Sequence, residues 1–268
     1  MPTTSEALAF YECFYSAVAT SRAYAEFCER VFGRNFGQDG FADMAQLDTL
    51  IASLAIGPGD RVLDLGCGNG AMAAYIAEAT GAHVTGIDFS PTAIGQAQHL
   101  AAASPGRLAF QVADIAALPF PPASFDAIVA VDTLYFTDLD ATVADLKTLL
   151  RPGGRMGIFW SQGADPERPI EVFPRETLPP DCTDLARALQ RHGLVYQVMD
   201  FTSADLIHAQ LKRAVLLDLQ VQFIAEGNTF LYDNRMGEAE GVIAAIAAGA
   251  HARYLYYDCR GYPPPPTP

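Results

Sequence analysis

Short apolar runs alternate with amphipathic segments along the middle of the chain, and that alternation sets the organisation of the rest. Val62, Leu63 and Leu65 form a buried-strand pattern that stops at Gly66-Cys-Gly-Asn-Gly70. A helical pattern, Met72–Thr80, follows and ends at Gly81, a favourable residue just past a helix. Further strand patterns are His83–Asp88, Leu108–Asp114, Phe125–Asp132 and Arg155–Trp160. Between them lie helical stretches from Pro91 to about Ala103, with Ser90 as N-cap and Pro91 in the first turn, and from Ala141 to Leu150. This repeat of strand and helix predicts a parallel, doubly wound α/β sheet.

The flanks read differently. Residues 1–58 are helix-rich, with Phe10, Tyr11, Phe14, Tyr15, Tyr24 and Phe27 spaced as a buried helical stripe over Leu8–Val31. This segment precedes the strand-helix repeat, so it is expected either to pack in the core or to lie over the sheet as a lid. Gly37–Phe41 reads as a loop, and Asp43 as the cap of a helix over Met44–Ala55. Beyond the repeat come a proline-containing connection (Pro166–Pro180), a helix over Cys182–Arg191 and a sixth strand, Leu194–Phe201. A helical stretch from Ser203 to Ala248 then separates that strand from a last one, His251–Asp258. It is too long for an ordinary connection and is expected to form a cap. The expected divisions are therefore an N-terminal lid (1–58), a core (59–202 and 251–262), an inserted helical cap (203–250) and a proline-rich extended tail (263–268).

Ligands of doubly wound sheets bind outside the carboxyl ends of the strands. Asp64, Asp88, Asp114 and Asp132 all fall at such ends, and acids converging on one rim describe a place for a cation. The glycine turn alone is ambiguous. Gly66, Gly68 and Ala71 also satisfy the loose dinucleotide pattern G-x-G-x-x-G/A. Charge separates the two readings: a pyrophosphate would be repelled by Asp64 in a poorly hydrated site, whereas a sulfonium and an ammonium would be attracted.

Composition narrows the partners. Half of the 268 residues are hydrophobic, enough for a large core, and 31 acidic against 17 basic residues leave a net charge of −14. That balance disfavours nucleic acid and anionic membrane surfaces. Five cysteines, an odd number with no C-x-x-C spacing, suit reduced thiols and a cytoplasmic location. Neither a leader pattern nor an 18-residue apolar run is evident, so a soluble monomer or homodimer without a membrane partner is expected. The five histidines are scattered without metal-ligand spacing, and no metal is expected.

Read together, these residues resemble the class I S-adenosylmethionine-dependent methyltransferases. Val62–Gly70 is similar to the family's first motif and Gly86-Ile-Asp-Phe-Ser-Pro91 to the second. Val112–Ile115 is similar to the third, and Phe125–Asp132 with Leu149–Gly154 complete the series over about residues 61–160. The resemblance implies a seven-stranded, mostly parallel Rossmann-like methyltransferase fold and S-adenosyl-L-methionine as cofactor. It implies that Asp64, Gly66, Cys67 (through its backbone) and Gly68 form the cofactor turn, and that Asp88 grips the ribose hydroxyls with Phe89 against the adenine. Asp114 would meet the adenine amino group and Ile115 would pack on the ring; Val131 and Asp132 complete the expected cofactor-binding set, Asp132 bonding either the cofactor's ammonium or local backbone if it is not the base. The inserted cap resembles members that methylate small molecules, so a metabolite or natural-product acceptor is expected.

Such a transfer needs mainly alignment of donor and acceptor, with a base where the acceptor must lose a proton. Asp132 is the candidate base, Tyr135 a candidate acceptor-side residue, and His208 on the cap a second candidate base. Trp160, Phe230, Tyr232 and Arg235 are further candidates for acceptor contact, or for plain packing. A protein that holds the sulfonium without transferring its methyl group would carry the same acids. A nicotinamide-dependent oxidoreductase is the third reading of the turn.

Overall fold

The computed structural model describes residues 4–163 and 170–257 of the chain. The strands are β1 (Arg61–Leu65), β2 (His83–Asp88), β3 (Leu108–Val112), β4 (Phe125–Val131), β5 (Leu150–Gly163), β6 (Gln197–Asp200) and β7 (His251–Tyr257). They form one sheet in the order β3-β2-β1-β4-β5-β7-β6. Only β7 runs against its neighbours, pairing antiparallel with both β5 and β6.

Helices cover both faces, as the near-continuous apolar strands require. On one face α3 (Met44–Ser53), α4 (Ala71–Thr80) and α5 (Pro91–Ala103) bury Leu50, Ile76 and Ile94 against Val62, Val84 and Val129. On the other, α6 (Leu139–Leu149) and α7 (Asp184–Arg191) bury Leu146 and Leu185 against Leu63, Ile128 and Ile158. The caps at Asp43 and Ser90 are those read from the sequence, and Thr183 caps α7, which starts two residues later than the expected Cys182. Asp43 accepts from the Gln46 N–H at 2.8 Å, Ser90 Oγ from Ala93 at 3.1 Å, and Thr183 Oγ1 from Ala186 at 3.1 Å. Gly81 closes α4 in the left-handed region, at φ +75°.

A third cluster lies above the carboxyl ends of the strands. There α1 (Thr4–Val18) and α2 (Arg22–Phe32) join α8 (Thr202–Ala225) and α9 (Thr229–Ala247) around Phe14, Phe27, Leu216 and Phe223. The aromatic stripe read as one run over Leu8–Val31 is therefore two helices. The break is at Ser21, whose hydroxyl caps Tyr24 N–H at 3.0 Å and donates to Glu226 at 2.6 Å. Lid and cap share one core, whereas α3, grouped with the lid by sequence, packs on the sheet.

Other boundaries shift for identifiable reasons. β3 ends at Val112 because Asp114 leaves the sheet to cap a turn of 3₁₀ helix, accepting from Ala116 N–H at 2.9 Å. β5 begins at Leu150, which pairs with Phe125 before a register shift around Arg151–Gly154. β6 is only Gln197–Asp200, an edge strand paired on one side. The proline-rich tail, and part of the connection before α7, lie outside the described residues.

Candidate functional site

A cavity of about 460 Å³ opens at the carboxyl ends of β1 to β4. Its floor is Gly66, Cys67 and Gly68, and its sides carry Asp88, Phe89, Asp114, Ile115, Val131 and Asp132. α1 contributes Ala7, Tyr11 and Tyr15 from above. The loop at residues 36–41 forms much of the remaining wall, and Glu238 of α9 reaches it from the cap.

The floor is tightly built. Gly66 and Gly68 have φ of +65° and +55°, in the region that disfavours side chains. A Cβ on Gly66 would strike the Thr133 side chain, and one on Gly68 the Tyr15 hydroxyl. Three amides of the turn are spent within the protein. Cys67 N–H donates to the Ile87 carbonyl at 2.9 Å, Gly68 N–H to Asp88 Oδ2 at 2.9 Å, and Gly70 N–H to the Cys67 carbonyl at 3.0 Å. Ala71 N–H, in the first turn of α4, donates to Asn69 Oδ1 at 3.2 Å. Anion-binding turns aim such groups at the ligand instead.

The acids differ sharply from one another. Asp88 accepts from Gly68 and from Ser90 N–H (2.9 Å); burial raises its carboxyl above the usual range, against the pull of those bonds. Asp114 is exposed apart from its turn. Asp64 lies beneath the cavity instead of lining it. It is 4% exposed, its Oδ2 has no hydrogen-bond partner among the described residues, and burial together with Asp88 pushes its pKa to about 7. The expected rim of four acids is thus three acids and one buried carboxyl below them.

Asp132 lines the cavity, but its carboxylate is fully engaged. Arg253 of β7 grips it with Nη1 on Oδ1 at 2.5 Å and Nη2 on Oδ2 at 2.9 Å. Phe41 N–H donates to Oδ2 at 2.7 Å. Both side chains are almost wholly buried, and Asp132 itself is held at φ +54°, a strained value for a residue with a side chain. Burial alone would lower the Arg253 pKa, yet Asp132 and Asp205 hold it above the ordinary guanidinium range. Tyr135 lines the cavity beside Asp132. Its hydroxyl accepts from Ser161 N–H at 2.9 Å, and burial raises its pKa.

His208 requires a correction. The side of α8 that carries it packs on α2, not on the cavity: its Nε2 lies 3.0 Å from the Val31 carbonyl and its ring stands edge-on to Phe32. Burial, then Lys212, lowers its pKa, and it is absent from the cavity wall. Arg235 is likewise turned inward, paired with Asp39 and, at 2.6 Å, with Glu238 Oε2. Phe230 and Tyr232 pack in the helical cluster, and Trp160 lies against Tyr135 with its Nε1–H on Gln162.

What sequence reading passes over is the loop at 36–41. It is fastened at each end of its run: Asn69 Nδ2 donates to the Phe36 carbonyl at 2.8 Å, Tyr24 hydroxyl to the Gln38 carbonyl at 2.8 Å, and Arg235 Nη1 to the Asp39 carbonyl at 2.6 Å. Tyr11 hydroxyl donates to Asp39 Oδ2 at 3.1 Å. Phe41 is sandwiched by cations, with Lys212 Nζ 4.3 Å and the Arg253 guanidinium 5.2 Å from its ring centre. One signal for this was present, since Arg253 is a lone charge in an otherwise apolar strand, and a buried arginine demands an acid. Among the described residues no cluster of His, Cys, Asp or Glu suits a metal ion.

Comparison with known proteins gives the family and the fold. The sequence profile of a methyltransferase domain matches residues 62–154. An O-methyltransferase, rstn1, of Aspergillus nomiae is 35% identical over 154 residues, covering 54% of this chain and 67% of that protein. A sterol 24-C-methyltransferase of Gibberella zeae is 34% identical over 50% of this chain and 35% of its own length. Several other curated relatives are also matched over only about a quarter to about half of their lengths. In fold, the chain is similar to phosphoethanolamine N-methyltransferase 2 of Haemonchus contortus in complex with phosphomonomethylethanolamine and S-adenosylhomocysteine. The TM-score is 0.73 at 20% identity, over 92% of this chain and 59% of that one.

Proposed function

Because the chain belongs to the class I S-adenosylmethionine-dependent methyltransferases, we propose that it moves the methyl group of S-adenosylmethionine to a small-molecule acceptor held beneath α1 and the loop at 36–41. The observation that carries this reading is the state of the glycine turn. Its floor of Gly66, Cys67 and Gly68 admits a ligand closely, yet the Cys67 and Gly68 amides are donated to Ile87 and Asp88, with acids standing around it. That arrangement suits a cationic or neutral group and opposes a pyrophosphate.

Bound there, S-adenosylmethionine would supply a methyl group already activated on sulfur, so the chain's task is alignment and exclusion of water. A carboxylate has about four acceptor sites. Asp88, which accepts one bond each from the Gly68 and Ser90 amides, retains capacity for the ribose hydroxyls, with Phe89 beside the adenine. Asp114 retains capacity for the adenine amino group next to Ile115. Asp132 and Tyr135 act by position: the carboxylate tied to Arg253 fixes the strand end and the 36–41 loop, and Tyr135 borders the acceptor. A proton acceptor at Asp132 would have to give up a buried guanidinium, which is unfavourable.

The acceptor side is aromatic and acidic, with Tyr11, Phe36, Phe41 and Phe136 together with Asp39 and Glu238 in the wall. Those two carboxylates are already paired with Arg235 and Lys212, so we read the acceptor from the aromatic lining, as largely apolar. The unpaired thiols of Cys13, Cys28, Cys67 and Cys182 support a reducing, cytoplasmic setting. Release of S-adenosylhomocysteine in the presence of a metabolite panel tests the activity. Equilibrium titration should show binding of the sulfonium and none of a nicotinamide dinucleotide; the reverse result would overturn the reading.

A further inference from the structure

Two glycines of the cavity floor each make room for a hydroxyl. Thr133 Oγ1 occupies the space that a Cβ on Gly66 would need, and Tyr15 Oη the space of a Cβ on Gly68. The glycines are two residues apart, so their Cα atoms are separated by no more than about 7.6 Å, and both hydroxyls stand on one short stretch of floor. Among the described residues, five hydroxyls line the cavity. Tyr11 donates to Asp39, Tyr135 accepts from Ser161 N–H, and Thr137 donates to the Leu134 carbonyl. The hydroxyls of Tyr15 and Thr133 have no hydrogen-bond partner among the described residues. Neither oxygen is sealed in the interior, so both open on the cavity that their residues line.

Both groups are held in place. Tyr15 is 6% exposed, its ring packs against Tyr11 and Phe14, and Gln96 of α5 donates to its carbonyl at 2.8 Å. Burial, then Asp88 and Asp39, keeps its phenol well above the ordinary range, so it remains a donor. Thr133 follows Asp132, whose carboxylate Arg253 fixes. The cations near this cavity are spent. No lysine, arginine or histidine lines it among the described residues. Arg235, Lys212 and Arg253 stand behind the wall, paired with Asp39, Glu238 and Asp132. S-adenosylmethionine brings a sulfonium, an ammonium and a carboxylate. The first two suit the acids of the wall, whereas the carboxylate needs donors, and only neutral ones are free. Hydroxyls serve that purpose well, since O–H···O⁻ bonds are short and charge-assisted.

We propose that Tyr15 and Thr133 hold the carboxylate at the amino-acid end of the cofactor, each donating a hydrogen bond to it. This rests on the reading of the glycine turn as the S-adenosylmethionine site and assigns a seat to one of the cofactor's charged groups. It gives Gly66 and Gly68 a second purpose beyond backbone freedom, because a side chain at either position would displace a donor.

Equilibrium titration of the whole chain with S-adenosylmethionine and with its decarboxylated form, which lacks only the carboxylate, is the test. The wild type should bind the intact cofactor more tightly. Tyr15→Phe and Thr133→Val keep the ring and the branched shape. Each should weaken the intact cofactor roughly tenfold or more, the loss of one hydrogen bond to a charged group, and leave the decarboxylated form within about twofold. The double variant should close most of the gap between the two ligands. Unfolding without ligand checks each variant; if one does not fold, the other and the wild-type preference still decide. A variant that weakens both ligands alike, or neither, overturns the proposal, as does a wild type indifferent to the carboxylate. A wild type that binds neither ligand overturns the S-adenosylmethionine reading itself.

Discussion

Asp88 and Asp132 both close a strand on the same rim, yet their surroundings give them different work. Asp88 bonds only backbone amides, so its charge remains for a ligand; Asp132 is neutralised by Arg253. Asp88→Asn is expected to weaken S-adenosylmethionine binding by roughly 2–3 kcal/mol, the scale of a lost charge-assisted hydrogen bond, in an equilibrium titration. Asp132→Asn should instead lower stability by about 3–5 kcal/mol in denaturant unfolding, because it leaves a buried guanidinium without its counter-charge. Asp132→Asn that unfolds like the wild type but loses only turnover would restore the residue to the role of base. The position of each acid was legible from strand patterning. What neutralised one of them was not, because Arg253 lies 121 residues away in sequence.

The elements above the sheet are held by short polar links as much as by apolar packing. Glu12 of α1 caps the start of α5: Oε1 accepts from Ser90 Oγ at 2.5 Å and Thr92 N–H at 3.0 Å, and Oε2 accepts from Thr92 Oγ1 at 2.5 Å. Burial is the largest single influence and pushes its carboxyl up, but the bonds from Ser90 and Thr92 together leave it below the usual range. A carboxyl so lowered contributes stability that is present above its unfolded pKa and lost as pH falls through the folded one. Glu12→Ala should cost about 1 kcal/mol of stability near neutral pH. It should also weaken cofactor binding, since Ala7, Tyr11 and Tyr15 on the same helix line the cavity. Hydrogen exchange confined to α1 in this variant would show the loosening directly; unchanged exchange there would refute the link.

Across the whole molecule the buried charges decide how stability responds to pH. Asp64 has its pKa raised to about 7 by burial and by Asp88. Because the folded state binds that proton more tightly than the unfolded chain does, Asp64 costs nothing below about pH 4, and its penalty grows as pH rises towards 7. Above 7 the penalty is constant, on the order of 4 kcal/mol. Asp64→Asn should therefore melt higher than wild type at pH 8 without ligand, and the gap should close as the pH is lowered to about 4. A gap that stays constant over that range would mean that Asp64 is ionised throughout.

The sequence alone determined the doubly wound sheet, the glycine turn and the positions of Asp64, Asp88, Asp114 and Asp132, because each is a local matter. Period-two and period-3.6 apolar patterns, caps such as Asp43 and Ser90, and glycine at positive φ act within a few residues. Only the tertiary structure decided that Asp64 sinks below the rim, that Arg253 reaches Asp132, and that His208 faces α2. It also decided that the loop at 36–41 walls the cavity. Those outcomes depend on which side chains distant segments bring together, and on the desolvation that follows. No spacing along the chain encodes either.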